Sequence, residues 1–241
     1  MDIMPAAGEG GGITPVATLL WLIDAGGVVV VILFAMSLVA ATIVLLKLWQ
    51  FHACGIGDLR KPRRAAALYA AGDSRAARNL VVNSANPVSQ LLRRAMEGRS
   101  EGREPPERLR ERLARDGADH LEVLRSYFRP LEVIATLSPL LGLFGTVLGM
   151  IEAFRQLEHA GAQVNPALLS GGIWQALLTT AVGLGVAIPT VALLSWLERR
   201  VDRVAHEMEA TVGHVLTASA ANGSGGTDDA ESTAGRAPVA G

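Results

Sequence analysis

Three stretches of the chain carry no charge and almost no strongly polar side chain. The first, AGGVVVVILFAMSLVAATIVLL, runs from Ala25 to Leu46 between Asp24 and Lys47. About 20 apolar residues cross the hydrocarbon of a bilayer as a helix, so this run is long enough. Lys47, Trp49 and His52 follow where interface residues belong. The second, VIATLSPLLGLFGTVLGMI, lies between Glu132 and Glu152 at the short end of spanning length. The third, IWQALLTTAVGLGVAIPTVALLSWL, runs from Ile173 to Leu197, with Trp174 and Trp196 placed as interface anchors. Pro139 and Pro189 fall inside the second and third runs and predict helix kinks, which a helix bundle in lipid tolerates.

Between the first two runs the pattern changes. DSRAARNLVVN and PPERLRERLARDGADHLEVLRSYF place apolar residues three and four apart, at Leu109, Leu113, Leu121, Leu124 and Phe128. Pro106 sits where a first helical turn begins. The expectation is a small helical bundle. The last stretch, from Ala218, is small, polar and glycine-rich and predicts a disordered tail.

The predicted layout is an all-α integral membrane protein with three transmembrane helices and a helical cytoplasmic domain. A segment 1–24 precedes span one at 25–48. A helical loop domain occupies 49–130, and span two 131–152. A short loop covers 153–171, span three 172–197, a helix 198–217 and the tail 218–241.

Composition agrees with a membrane protein. Half of the 241 residues are hydrophobic and only 19% are charged, against about a quarter in soluble domains. The net charge of −1 excludes nothing, but its distribution gives a direction. Residues 52–130 hold sixteen Lys and Arg against ten Asp and Glu, and the first 24 residues hold no Lys or Arg. The 152–172 segment has only Arg155, while Arg199, Arg200 and Arg203 follow span three. By the positive-inside rule the N-terminus and the 152–172 loop are periplasmic, and the 52–130 domain and C-terminus cytoplasmic. The first residues lack the basic region of a cleaved signal peptide. The arginines of the loop domain alternate with Glu104, Glu107, Glu111, Asp116 and Asp119, the pattern of a solvated helix face rather than a nucleic-acid surface.

The candidate chemistry lies in spans two and three. Gly142, Gly145, Thr146 and Gly149 recur at i, i+3, i+4 and i+7 and share one helix face. Ala176, Thr179, Thr180, Gly183 and Ala187 share one face of span three. Small residues at that spacing let helices approach closely in lipid, with each threonine hydroxyl bonded to its own helix's i−4 carbonyl. That packing role for Gly142, Gly145, Gly149 and Gly183 is one reading. The other is that two faces with mid-span hydroxyls admit water and form a proton path. Thr146, Thr179, Thr180 and Gln175 are the candidate pore-lining residues, with no catalytic residue among them.

An ion path needs a titratable or coordinating group, and no Asp, Glu, His, Lys or Arg lies within the three apolar runs 25–46, 133–151 and 173–197. If protons cross, a partner brings the carboxylate, and Thr146 and Thr180 hydrogen-bond or hydrate it. One carboxylate with hydroxyls offers too few oxygens for a dehydrated Na⁺, so H⁺ is the expected ion. There is no phosphate-binding loop, no Cys/His metal cluster and no nucleophile elbow, and the five histidines are scattered. The lone Cys54 forms no intrachain disulfide. No cofactor, no metal and no enzyme activity is expected.

SPLLGLFGTVLGMIEAF and GGIWQALLTTAVGLGVAIP resemble the MotA/TolQ/ExbB proton channel family, nearest its ExbB and TolQ branch. The likeness is strong over residues 131–203 and architectural elsewhere. It implies an inner-membrane pentamer whose second and third spans line a pore. That pore holds an ExbD- or TolR-like single-span partner bearing a membrane aspartate. It implies that proton flow drives a TonB- or TolA-like protein and so energises outer-membrane transport, and that Thr146 and Thr180 face the aspartate. Many relatives have glutamate where Gln175 stands, so Gln175 is read as a polar lining residue. The alternatives are a TolQ-like subunit of a Tol-Pal envelope system and a non-conducting membrane scaffold.

Overall fold

A uniformly apolar run has no face to turn toward water, and a helix apolar on all sides belongs in a hydrophobic surround. The computed structural model describes the backbone of residues 15–102, 104–160 and 166–224, and side chains over 27–102, 104–159 and 169–217. Its elements are α1 (Pro15–Ala53), α2 (Arg60–Ala70), α3 (Ser74–Val81), α4 (Pro87–Glu101), α5 (Pro106–Arg125), α6 (Phe128–Ala160) and α7 (Pro166–Ser224). Every described element is a helix, and three helices are long and apolar enough to cross a membrane. The expectations for residues 1–14, 161–165 and 225–241 lie outside the described residues. α7 continues to Ser224, through positions where composition alone predicts a tail. Extending an existing helix avoids the nucleation cost, so a weakly helical Ala/Ser stretch can follow it.

The chain divides into two compact units. One comprises residues 45–126 and 196–241. Its short helices have clear start and stop signals. Asp73 caps α3 by accepting from the Ala76 amide at 3.0 Å. Asn86 caps α4 by accepting from the Val88 amide at 2.9 Å, while its own amide donates to the Gly55 carbonyl at 2.8 Å. Pro87 and Pro106 stand in the first turns of α4 and α5. Gly102 ends α4 in the left-handed conformation, φ 59°. Leu91, Leu92, Ala95 and Met96 of α4 are buried, as are Leu109, Leu113 and Leu124 of α5. Leu121, placed on the same periodic pattern, is half-buried, and Gly117 takes a buried position instead.

Two charged groups in this unit depart from what an extended sequence shows. Lys47, which follows span one, is 2% exposed. Its Nζ donates to Leu124 O at 3.2 Å, Ser126 Oγ at 3.0 Å and Gln50 Oε1 at 2.9 Å. It thereby puts a cation on the carbonyl end of α5, where the helix dipole is negative. Glu207 of α7 is also buried and takes a two-pronged bond from Arg63 of α2, Nε–Oε1 2.7 Å and Nη2–Oε2 2.6 Å. The hydrogen bond and charge of Glu207 hold the Arg63 guanidinium above its ordinary pKa.

The other unit comprises residues 1–44 and 127–195. α1 is interrupted at Gly27, whose φ of 62° and ψ of −159° only glycine adopts without strain. α6 and α7 run through Pro139 and Pro189 as continuous helices. Beside each proline a hydroxyl turns back onto its own helix: Ser138 donates to Ile134 O and Thr190 to Val186 O, each at 2.7 Å.

Candidate functional site: the α6–α7 helix pair

α6 buries Ala135, Ser138, Gly142, Gly145, Gly149 and Ala153, a stripe recurring every three or four residues. α7 buries Ala176, Thr179, Gly183, Ala187 and Thr190 on the same repeat. Contacts pair Ala153 with Gly172, Gly149 with Ala176, Gly145 with Thr179 and Gly142 with Gly183, so the helices are antiparallel. The backbones are close because side chains are missing. A Cβ on Gly142 would lie 3.1 Å from the Thr180 Cα, and one on Gly183 would lie 2.6 Å from the Ser138 carbonyl oxygen. On Gly145 it would lie 2.5 Å from Thr179 Oγ1, and on Gly149 3.1 Å from the Ala176 Cβ. In lipid such approach replaces the hydrophobic drive with dispersion and hydrogen bonds.

The central hydroxyls do not follow the expected i−4 pattern. Thr146 Oγ1 donates to Leu143 O at 2.6 Å and Thr179 Oγ1 to Ala176 O at 2.7 Å, both three residues back. Thr179 also reaches Gly142 O at 3.3 Å, and Thr180 donates to the same carbonyl at 3.2 Å. The reason is local: Gly142 has no side chain to shield its carbonyl, and threonine can bond either i−3 or i−4. Thr179 and Thr180 therefore meet at Gly142 O. Thr146 makes its bond within α6, and its side chain is half-buried. Gln175 is half-buried on α7, its amide 3.6 Å from where a Cβ on Gly27 would stand.

Above the Gly145–Thr179 contact the three long helices part to leave a cavity of about 320 Å³. Residues 27–29 of α1 form one wall, α6 from Gly145 to Glu152 a second, and Gln175 and Thr179 a third. In the sequence Glu152 is the charge that bounds the second apolar run. The signal for its placement was present: 145, 149 and 152 recur at i, i+4 and i+7. Among the described residues no group of three or more His, Cys, Asp or Glu side chains could hold a metal.

Three apolar helices, two of them joined through glycines and hydroxyls, define an integral membrane protein built around a polar seam. The chain belongs to the MotA/TolQ/ExbB proton channel family, whose model matches residues 83–210, a range that contains the whole α6–α7 contact. It is similar to the Vibrio cholerae biopolymer transport protein exbB1, 41% identical over 90 residues, 37% of this chain and 40% of that protein. The Synechocystis biopolymer transport protein ExbB-like 3 is 31% identical over 170 residues, 69% of this chain and 79% of that one. The Haemophilus influenzae Tol-Pal system protein TolQ is 39% identical over 84 residues, 35% of this chain and 36% of that protein. The matched stretch is thus well under half the length of the Vibrio and Haemophilus relatives.

Proposed function

We propose that this chain is the ExbB-like subunit of a proton-motive-force-driven energy transducer in the bacterial inner membrane. The observation that carries the reading is a seam of mid-span hydroxyls with no titratable group in it. Residues 133–151 and 173–197 hold no Asp, Glu, His, Lys or Arg, yet Thr146, Thr179 and Thr180 lie within them. A hydroxyl seam relays or hydrates a proton but does not hold one, so the proton-holding carboxylate comes from another chain. The partner is an ExbD- or TolR-like single-span protein with a membrane aspartate. A pentamer of this chain surrounds the partner's helices, with α6 and α7 toward the pore. The N-terminus is periplasmic, and the 49–130 domain and the helix after span three are cytoplasmic. Proton flow past Thr146 and Thr180 drives the partner to act on a TonB-like protein, which energises outer-membrane transport. The glycines at 142, 145, 149 and 183 hold the two pore helices together, while Pro139 and Pro189 allow them to bend.

The match to a TolQ protein supports a second assignment of the same machinery, to envelope maintenance in place of transport. The hydroxyl bonds inside the helix pair also favour a third reading, a non-conducting scaffold in which the threonines serve packing alone.

The test is purification of the chain from mild-detergent extracts of its own membranes, with mass spectrometry of what accompanies it. Recovery of a small single-span protein with a mid-membrane aspartate is expected. Recovery of this chain alone, as a stable oligomer in several detergents, contradicts the transducer reading and supports the scaffold.

A further inference from the structure

A proton path through the seam also needs a place where protons leave bulk water. Glu152 is built to be that place. It is the titratable side chain among the described residues lining the 320 Å³ cavity, and the cavity's other polar groups are Gln175 and Thr179. Its side chain is 44% exposed, so one carboxylate reaches both the surface and the cavity. The charged group beside it is Arg155 on its own helix, Nη2–Oε2 3.4 Å, and Gln156 Nε2 donates to Oε1 at 3.2 Å. Among the described residues the lining from α1 is Gly27, Val28 and Val29, and from α7 Gln175 and Thr179, none of them charged.

Three glycines line the cavity: Gly145 and Gly149, which bring α6 against α7, and Gly27, where α1 is interrupted. The cavity has room for several waters at about 30 Å³ each, and three polar side chains are enough to bind some of them. Thr179 spends its proton on Ala176 O and Gly142 O, which leaves oxygen lone pairs to accept from such a water. Gly145 and Thr179 belong both to the cavity wall and to the helix contact that contains Gly142. The cavity therefore abuts the seam at Gly145 and Thr179.

Resting on the transducer reading, we infer that Glu152 is the proton-loading residue of this channel. Its carboxylate takes a proton from water on the side of the 152–172 loop, becoming the neutral acid. It then returns that proton to water in the cavity and is left as the carboxylate it began as. The proton moves along the seam to the partner's carboxylate. Gln175, across the cavity, orients water but carries no proton.

The experiment uses the complex of this chain with its co-purified partner, reconstituted in liposomes, with proton uptake followed by an internal pH dye under an imposed gradient. Glu152→Gln is expected to lower the flux about tenfold or more. The double variant Glu152→Gln/Gln175→Glu, which moves the carboxylate across the same cavity, is expected to recover at least half of it. A purely structural role for Glu152 would not be rescued in that way. Flux in Glu152→Gln within twofold of the unmodified complex overturns the inference, and so does a loss the double variant fails to repair. Absence of flux from the unmodified complex removes the transducer reading itself, and the inference with it. Equal elution volumes in size-exclusion chromatography establish that each variant is assembled.

Discussion

The two units of this chain hold helices together by opposite means. In the 45–126 and 196–241 unit the contacts are large: Leu91, Leu92, Met96, Leu109 and Leu113 are almost fully buried, and Arg63 and Glu207 pair across elements. In the unit of residues 1–44 and 127–195 the α6–α7 contact is made of Gly, Ala, Ser and Thr. The large side chains there point away, with Leu140, Phe144, Val147, Leu177 and Ile188 all more than half or near half exposed on the described chain. The difference follows from the solvent each face is built for. In water, burying leucine is itself the driving force. Between lipid tails leucine gains nothing by leaving them, so closeness of backbones and hydroxyl bonds decide the contact.

That contrast can be broken from either side. Gly183→Val should have the largest effect, because its first added carbon already collides with the Ser138 backbone oxygen, which cannot move aside. Loss of assembled protein from membrane extracts is expected, while Gly185→Ala two residues away, with nothing within 4 Å, should leave the level unchanged. Equal levels for the two variants would show that the α6–α7 approach is not what holds this unit. Leu113→Ala should cost the helical bundle about 3 kcal/mol, the usual toll for emptying a leucine site. It should read out as a lower Tm of the 45–126 unit's helices in the intact chain, with membrane insertion retained. Arg63→Ala strips the partner from a buried carboxylate and should lower that Tm more than Arg115→Ala, whose ion pair with Glu111 is open to solvent. Equal shifts would mean that the Glu207 site is wetter than its burial implies. Thr180→Val should have the smallest effect on assembly, about 1 kcal/mol for its bond to Gly142 O, yet abolish energised function under the proposed mechanism. Full activity in both Thr146→Val and Thr180→Val would remove the two hydroxyls from the path.

Much of the fold was legible because lipid and water impose distinct periodicities. Uncharged runs about 20 residues long gave the three apolar helices, and the Leu109–Leu113 spacing after Pro106 gave α5. The glycine positions of the α6–α7 contact were visible as an i, i+3, i+4, i+7 repeat. What could not be seen depends on partners distant in sequence. The burial of Lys47 depends on the carbonyl end of α5, 77 positions later in the chain. Glu207 sits among the charges of a solvated helix, and only Arg63, 144 positions earlier, explains its burial. The i−3 bonds of Thr146 and Thr179, and the shared acceptor at Gly142, are settled by rotamers that no sequence pattern encodes.

The central claim is that the mid-span hydroxyls meet a second protein's helix. It is tested most directly by placing a photo-cross-linking phenylalanine analogue at position 146 and irradiating intact membranes. An adduct is expected between this chain and a small single-span protein, attached within a turn of that protein's membrane aspartate. Adducts formed only with lipid or with further copies of this chain would contradict it.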